Sequence, residues 1–153
     1  MTGMEISRIF YARYVQPMLE RDFASERYLI AVGLAGQGSE CLGFDDELSR
    51  DHDFGPGVCL WIPRSEAGDL GARLAAAYGR LPQNIPECGT SAICSERGSR
   101  VGVLTIEGFY ERLIGRPDAP ESFMDWLRIP ARYLSQACSG EVFSDPLGSF
   151  SAV

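Results

Sequence analysis

The order of its predicted elements places this chain in the α+β class, as a small mixed β-sheet with flanking helices. Three observations predict it. Apolar residues recur at helical spacing in the first segment, short apolar runs bounded by glycine or proline follow, and the last third breaks into short helical pieces. With 153 residues, of which 45% are hydrophobic, the chain can bury one core. We therefore expect a single domain over residues 1–153.

The first element is a predicted helix over residues 2–23. Thr2 and Glu5 form a capping-box pattern at its start, and apolar residues follow at intervals of about three to four. Pro17 lacks a backbone N–H and its ring crowds the preceding turn, so the helix should kink or divide near Gln16. The apolar residues are Ile6, Ile9, Phe10, Tyr14, Val15, Leu19 and Phe23.

Three strands are predicted after this helix. Residues 28–35 form an apolar run that ends at Gly36-Gln37-Gly38, and residues 101–106 form a similar run. Residues 51–62 are interrupted by glycine and proline, which indicates a bulge or an edge position. A helix from Ser65 to about residue 78 should connect the second and third strands, with Ser65 as its cap.

The other segments are shorter. Residues 79–98 are rich in proline, glycine and cysteine and are predicted to form a long loop. Short helices are predicted at residues 109–114, 121–127 and 131–137, followed by a turn and a brief strand within residues 140–148.

Charge excludes several classes of protein. The chain carries 21 acidic residues against 14 basic ones, for a formal charge of -7, and all of the basic residues are arginine. Without lysine it can form neither a Walker phosphate loop nor a Schiff base. An acidic chain also binds long nucleic acid poorly. No apolar run is long enough for a membrane span, residues 1–6 do not have the pattern of a secretory signal, and we expect a cytoplasmic protein.

Cysteine and histidine usage argues against two further classes of site. The five cysteines are widely spread and His52 is the single histidine. This pattern supports neither a zinc cage nor a disulfide framework.

One stretch carries the pattern of a functional site. Gly38 and Ser39 form a turn after the first strand, eleven residues follow, and Asp51 and Asp53 open the second strand. Two simpler motifs do not match this stretch. The dinucleotide fingerprint lacks its third glycine, because Cys41 stands there, and a calcium loop would need an oxygen ligand where Gly55 stands.

The residue types suit a metal and a polyphosphate. Asp51 and Asp53 share one face of a strand, about 7 Å apart along the chain, and their oxygens suit a hard divalent cation such as Mg²⁺ or Mn²⁺. The backbone N–H groups of a glycine turn and the hydroxyl of Ser39 can cradle phosphate.

This pattern resembles the nucleotidyltransferase superfamily typified by DNA polymerase beta. The longer stretches Gly38-Ser39-Glu40-x-Leu42-Gly43-Phe44-Asp45 and Ser49-Arg50-Asp51-His52-Asp53-Phe54-Gly55-Pro56 resemble an uncharacterised bacterial family of nucleotidyltransferase-like proteins of unknown function. Weaker similarity extends through residues 105–110 and 140–145. The family usually continues into a helical region, so residues 1–153 are expected to form a nucleotidyltransferase-like core that lacks it. Uncovered apolar surface would then favour a homo-oligomer.

The resemblance implies a role for each matching residue. Asp51 and Asp53 would hold the metal, Gly38 and Ser39 would hold the terminal phosphates, and Arg50 or Arg64 would add positive charge. In the superfamily a third carboxylate on a neighbouring strand completes the site. On the third predicted strand only Glu107, at its end, could supply it, provided that its side chain shares the face of Asp51 and Asp53.

Each of these residues also has a structural interpretation. The two aspartates could open a strand in solvent, Ser39 could cap the turn, and Glu107 could be a surface residue. Arg50 is expected to form an ion pair with a neighbouring acidic residue, since strand parity turns it from the aspartate face. His52 is expected to pack or to form a hydrogen bond, and Trp61 and Trp126 to lie in the core.

The resemblance therefore implies a metal-dependent nucleotidyltransferase. It would move a nucleoside monophosphate from a nucleoside triphosphate to a hydroxyl of a small-molecule or protein acceptor. The alternative, favoured by the missing carboxylate, is a catalytically silent regulatory domain that binds a nucleotide or a partner. An antitoxin-like or antibiotic-modifying protein is compatible with the acidic charge, which does not itself support it.

Overall fold

The computed structural model describes residues 2–43, 56–82, 85 and 100–153. Within them the α+β prediction is confirmed, since one four-stranded mixed sheet is flanked by helices. The strands are β1 (Ala31–Ala35), β2 (Cys59–Ile62), β3 (Gly102–Thr105) and β4 (Gly140–Ser144). The helices are α1 (Gly3–Phe10), α2 (Gln16–Asp22), α3 (Ser39–Leu42), α4 (Asp69–Gly79), α5 (Ile106–Ile114), α6 (Phe123–Arg128) and α7 (Ala131–Cys138). None of these helices is long and apolar enough to cross a membrane.

The directions of the strands distinguish the two ends of the sheet, which lie where the strands begin and end. The order is β3-β2-β1-β4, with β1 antiparallel to both of its neighbours and β3 parallel to β2. The last residues of β1 therefore lie at the same end of the sheet as the first residues of β2, β3 and β4, and we call this end the turn edge. The opposite end, where β1 begins and β2 and β3 end, is the far edge.

The first predicted helix is divided in the predicted place. The Thr2 hydroxyl accepts from Glu5 N, and the Glu5 carboxylate accepts from Thr2 N at 2.7 Å, which completes the capping box and lowers the pKa of Glu5. A π-helical turn, Tyr11–Val15, separates α1 from α2. The wider turn explains the five-residue spacing of buried Phe10 and Val15.

Two predicted boundaries are wrong. β1 begins at Ala31, because Arg27–Leu29 forms a 3₁₀ turn instead of the start of a strand. Ser65 is not a helix cap: it lies inside another 3₁₀ turn, Arg64–Glu66, and Gly68 is the cap residue of α4. Of the second predicted strand, residues 51–55 lie outside the described residues.

The sheet is covered on both faces. On one face, α1, α2 and α4 bury the side chains of Leu60, Ile62 and Val32. On the other face, Trp61 is fully buried and packs against residues of α5 and the C-terminal segment. The prediction that Trp61 belongs to the core is confirmed. The same prediction for Trp126 is wrong, because that side chain on α6 is 47% exposed.

Candidate functional site

The predicted glycine turn lies at the turn edge. Residues 36–38 follow β1 directly and lead into α3, which begins at Ser39. Gly36 has φ 104° and Gly38 has φ 141°, a region that glycine adopts without strain. A side chain at Gly36 would also begin 3.3 Å from the Phe109 ring. The shape of the turn therefore depends on its glycines.

The starts of β2 and β3 are joined to each other beside this turn. Gly102 N donates to Val58 O at 2.8 Å, and the Cys59 thiol donates to Arg100 O at 3.1 Å. Burial raises the pKa of Cys59 to about 12, so the thiol stays protonated and unreactive at neutral pH. Cys59 thus has a structural role, holding the segment that begins β3.

This anchoring brings an arginine to the glycine turn. The Arg100 guanidinium donates to Gln37 O at 3.1 Å, joining the start of β3 to the turn after β1. Sequence analysis missed this residue. Arg100 is distinguished from the other arginines only by the sheet topology. β3 is the outer strand next to β2, and it begins at the turn edge.

The two aspartates and Arg50 lie outside the described residues. Their flanks are described. Residues 56–58 are buried and lead into the first residue of β2 at the turn edge, and Gly57 packs there against Val101. The chain therefore returns to the sheet at the same edge as Gly38, three residues after Asp53. Within the described part of the chain, no cluster of three or more His, Cys, Asp or Glu side chains could hold a metal ion.

Arg64 and Glu107 lie at the far edge. Thr105, the last residue of β3, pairs with Ile62, the last residue of β2. Arg64 N donates to the Glu107 carboxylate at 2.9 Å, and its guanidinium pairs with Glu111. The hydrogen bond to Glu111 raises the pKa of Arg64. These groups form a structural cluster that joins the end of β2 to α5.

The far edge is too distant for Glu107 to share an ion with groups at the turn. The four steps from Ala31 to Ala35 span about 13 Å at roughly 3.3 Å per residue, whereas oxygens bound to one ion lie within about 5 Å of each other. Glu107 is also not a strand residue, since β3 ends at Thr105 and Glu107 lies in the first turn of α5; strand alternation therefore does not set the direction of its side chain. Arg64 is excluded from the turn by the same distance.

The substitution Glu107→Gln tests this assignment. The amide oxygen can still accept from Arg64 N, so we expect a loss of at most about 1 kcal/mol in the free energy of unfolding, the usual worth of an exposed charged contact. Any binding of nucleoside triphosphate should be unchanged. A tenfold loss of nucleotide affinity, with stability preserved, would restore Glu107 to the site.

No family model, curated protein or solved structure matches this chain.

Proposed function

We propose that this domain binds a nucleoside triphosphate at the turn edge and acts as a catalytically silent, regulatory nucleotide-binding domain. The contact between Arg100 and Gln37 carries the proposal, because it adds a fixed positive charge to a glycine turn. Arginine suits phosphate through its planar fork of N–H donors. Phosphate oxygens beside residues 36–39 would be within reach of the same guanidinium.

The proposed binding uses three groups of residues. Gly38 and Ser39 would hold the terminal phosphates, and Arg100 would neutralise part of their charge. Asp51 and Asp53 would hold Mg²⁺ or Mn²⁺, which supplies the remaining positive charge when bound. The return of the chain to the turn edge at Pro56 supports this grouping, since only two residues separate it from Asp53.

The lack of an acidic side chain on the described start of β3 favours a silent domain. Residues 100–105, which enter and form β3, contain no acidic side chain, and Glu107 lies at the far edge. A general base must be within hydrogen-bond reach of the hydroxyl that it activates. The start of β3 instead contributes a cation, which favours holding phosphate over deprotonating an acceptor.

A metal-dependent nucleotidyltransferase is the second candidate. One observation favours it. Gly38 in the glycine turn and Pro56, which follows the predicted Asp-x-Asp pair, both lie at the turn edge. In that case Asp51 and Asp53 would carry the metal, and an acceptor hydroxyl on a small molecule or a protein would attack the α-phosphate. Pyrophosphate would leave.

Calorimetric titration with each nucleoside triphosphate and Mg²⁺ tests the binding. We expect Asp51→Asn with Asp53→Asn to weaken magnesium-dependent binding at least about a hundredfold, since both hard ligands are lost. Stability should hold, because the repulsion between two carboxylates is also removed. Asp118→Asn with Glu121→Gln is the matched control, with the same change of charge between α5 and α6.

Product assays separate the two candidates. A silent domain releases no pyrophosphate with labelled triphosphates, with or without cell extract, and labels no protein. Release that is abolished in the double aspartate variant would establish the transferase. If no triphosphate binds, or if the aspartate variant binds as the control does, both candidates are contradicted.

A further inference from the structure

A cavity lies away from the turn edge, at the ends of three helices. It is open to solvent and has a volume of about 320 Å³ between the end of α5, the end of α6 and the beginning of α7, at the lower end of the range for small-molecule sites. The far-edge contact between Arg64 and Glu111 borders it, since Glu111 is one of its lining residues. The cavity is therefore distinct from the proposed nucleotide site.

The charged groups of this cavity are predominantly positive. Arg112 from α5 and Arg128 from α6 both line it, whereas its one carboxylate, Glu111, is already engaged by the Arg64 guanidinium. Across the described residues, Arg128 forms no hydrogen bond or ion pair. In a chain with a formal charge of -7, Arg128 therefore gives this lining a positive charge that no side chain of the described residues pairs with.

The remaining walls are apolar and aromatic. Leu113 and Ile129 are buried at 4% and 8% exposure, and Tyr133 contributes an aromatic side chain. The Arg132 guanidinium lies 4.6 Å from the centre of the Tyr133 ring and donates to its hydroxyl at 3.0 Å. These two contacts restrain the ring at the wall of the cavity.

We propose that this cavity binds a small organic anion, with its carboxylate or phosphate between Arg112 and Arg128 and its apolar body against Ile129 and Tyr133. Guanidinium groups pair with either kind of anion through two parallel N–H donors. The volume suits a body of about one ring. The proposal does not depend on nucleotide binding, because it uses no residue of the turn edge.

Titration with benzoate, phenyl phosphate and phenol tests the site. Benzoate or phenyl phosphate should bind, and phenol, which has the ring without the anion, should bind at least about tenfold more weakly. The better of the two anions identifies the carboxylate or the phosphate as the natural group. Both should bind unchanged to the Asp51→Asn and Asp53→Asn variant, which separates this cavity from the nucleotide site.

Arginine variants locate the binding. The double change Arg112→Gln with Arg128→Gln should weaken binding of the better anion at least about tenfold. Arg27→Gln with Arg80→Gln removes the same charge elsewhere and should leave the affinity for that anion unchanged. The single change Arg128→Gln, at an exposed residue without an ion pair in the described chain, should still weaken binding if the double variant fails to fold. Equal affinity in the Arg128→Gln and control variants, or no binding of either anion to the unaltered protein, would overturn the proposal.

Discussion

Gly33→Ala is expected to remove about 3 kcal/mol or more from the free energy of unfolding. A Cβ atom at this central position of β1 would lie 2.9 Å from Val142 Cα and 3.0 Å from the Trp61 ring, and closer still to the Glu141 carbonyl oxygen. The pairing of β1 with β4 shifts register between Val32 and Gly33, which brings the β4 backbone against the glycine. Backbone cannot rotate aside as a side chain can.

Urea unfolding of Gly33→Ala measures this cost, with Gly79→Ala as the control. Gly79 is the last residue of α4, and a Cβ there meets nothing within 4 Å, so alanine should be neutral or stabilise by about 0.5–1 kcal/mol. A Gly33→Ala protein as stable as the original would show that β4 can move without loss.

Trp61→Ala is expected to cost about 3–5 kcal/mol, the range for emptying a large aromatic site in a core. Trp61 is fully buried, stacks on Phe150 with ring centres 3.8 Å apart, and meets Phe109 edge-on at 5.4 Å. Phe150 is held in turn by a hydrogen bond from the Tyr110 hydroxyl to its carbonyl oxygen, at 3.0 Å. Loss of the indole would therefore loosen the C-terminal segment as well.

Trp61→Phe should cost less than half as much as the alanine change. The indole Nε1 is buried and has no hydrogen-bond acceptor among the described residues, an arrangement that costs about 1–3 kcal/mol. Phenylalanine keeps an aromatic ring beside Phe150 and removes this N–H, which offsets part of the lost volume. Thermal unfolding of the two variants checks the difference, and equal losses would show that the phenyl ring does not pack against Phe150.

Local signals in the sequence were sufficient for part of this fold. The capping box at Thr2, the division near Pro17 and the glycine turn after β1 each depend on a few adjacent residues, and each was predicted. The start of β1 was predicted too early, because an apolar run does not distinguish a strand from the 3₁₀ turn before it.

The candidate site could be predicted only where its residues are adjacent in the sequence. The turn at Gly38 lies where the pattern placed it, but the position of Glu107 depends on strand direction: the end of β3 lies at the far edge, since β3 runs parallel to β2. The contact between Arg100 and the glycine turn likewise depends on which strands are neighbours in the sheet. Trp126 was placed in the core by residue type alone, and its exposure is set by which elements cover α6.

The unequal surroundings of the two tryptophans give the molecule two optical reporters. Trp61, stacked on Phe150 and fully buried, should emit at shorter wavelength and resist quenching by iodide, whereas half-exposed Trp126 should emit at longer wavelength and be quenched. Trp126 lies two residues before Arg128, at the end of the helix that helps to form the cavity lined by Arg112 and Arg128. Fluorescence can therefore follow the sheet core and the α6 region separately in one unlabelled sample.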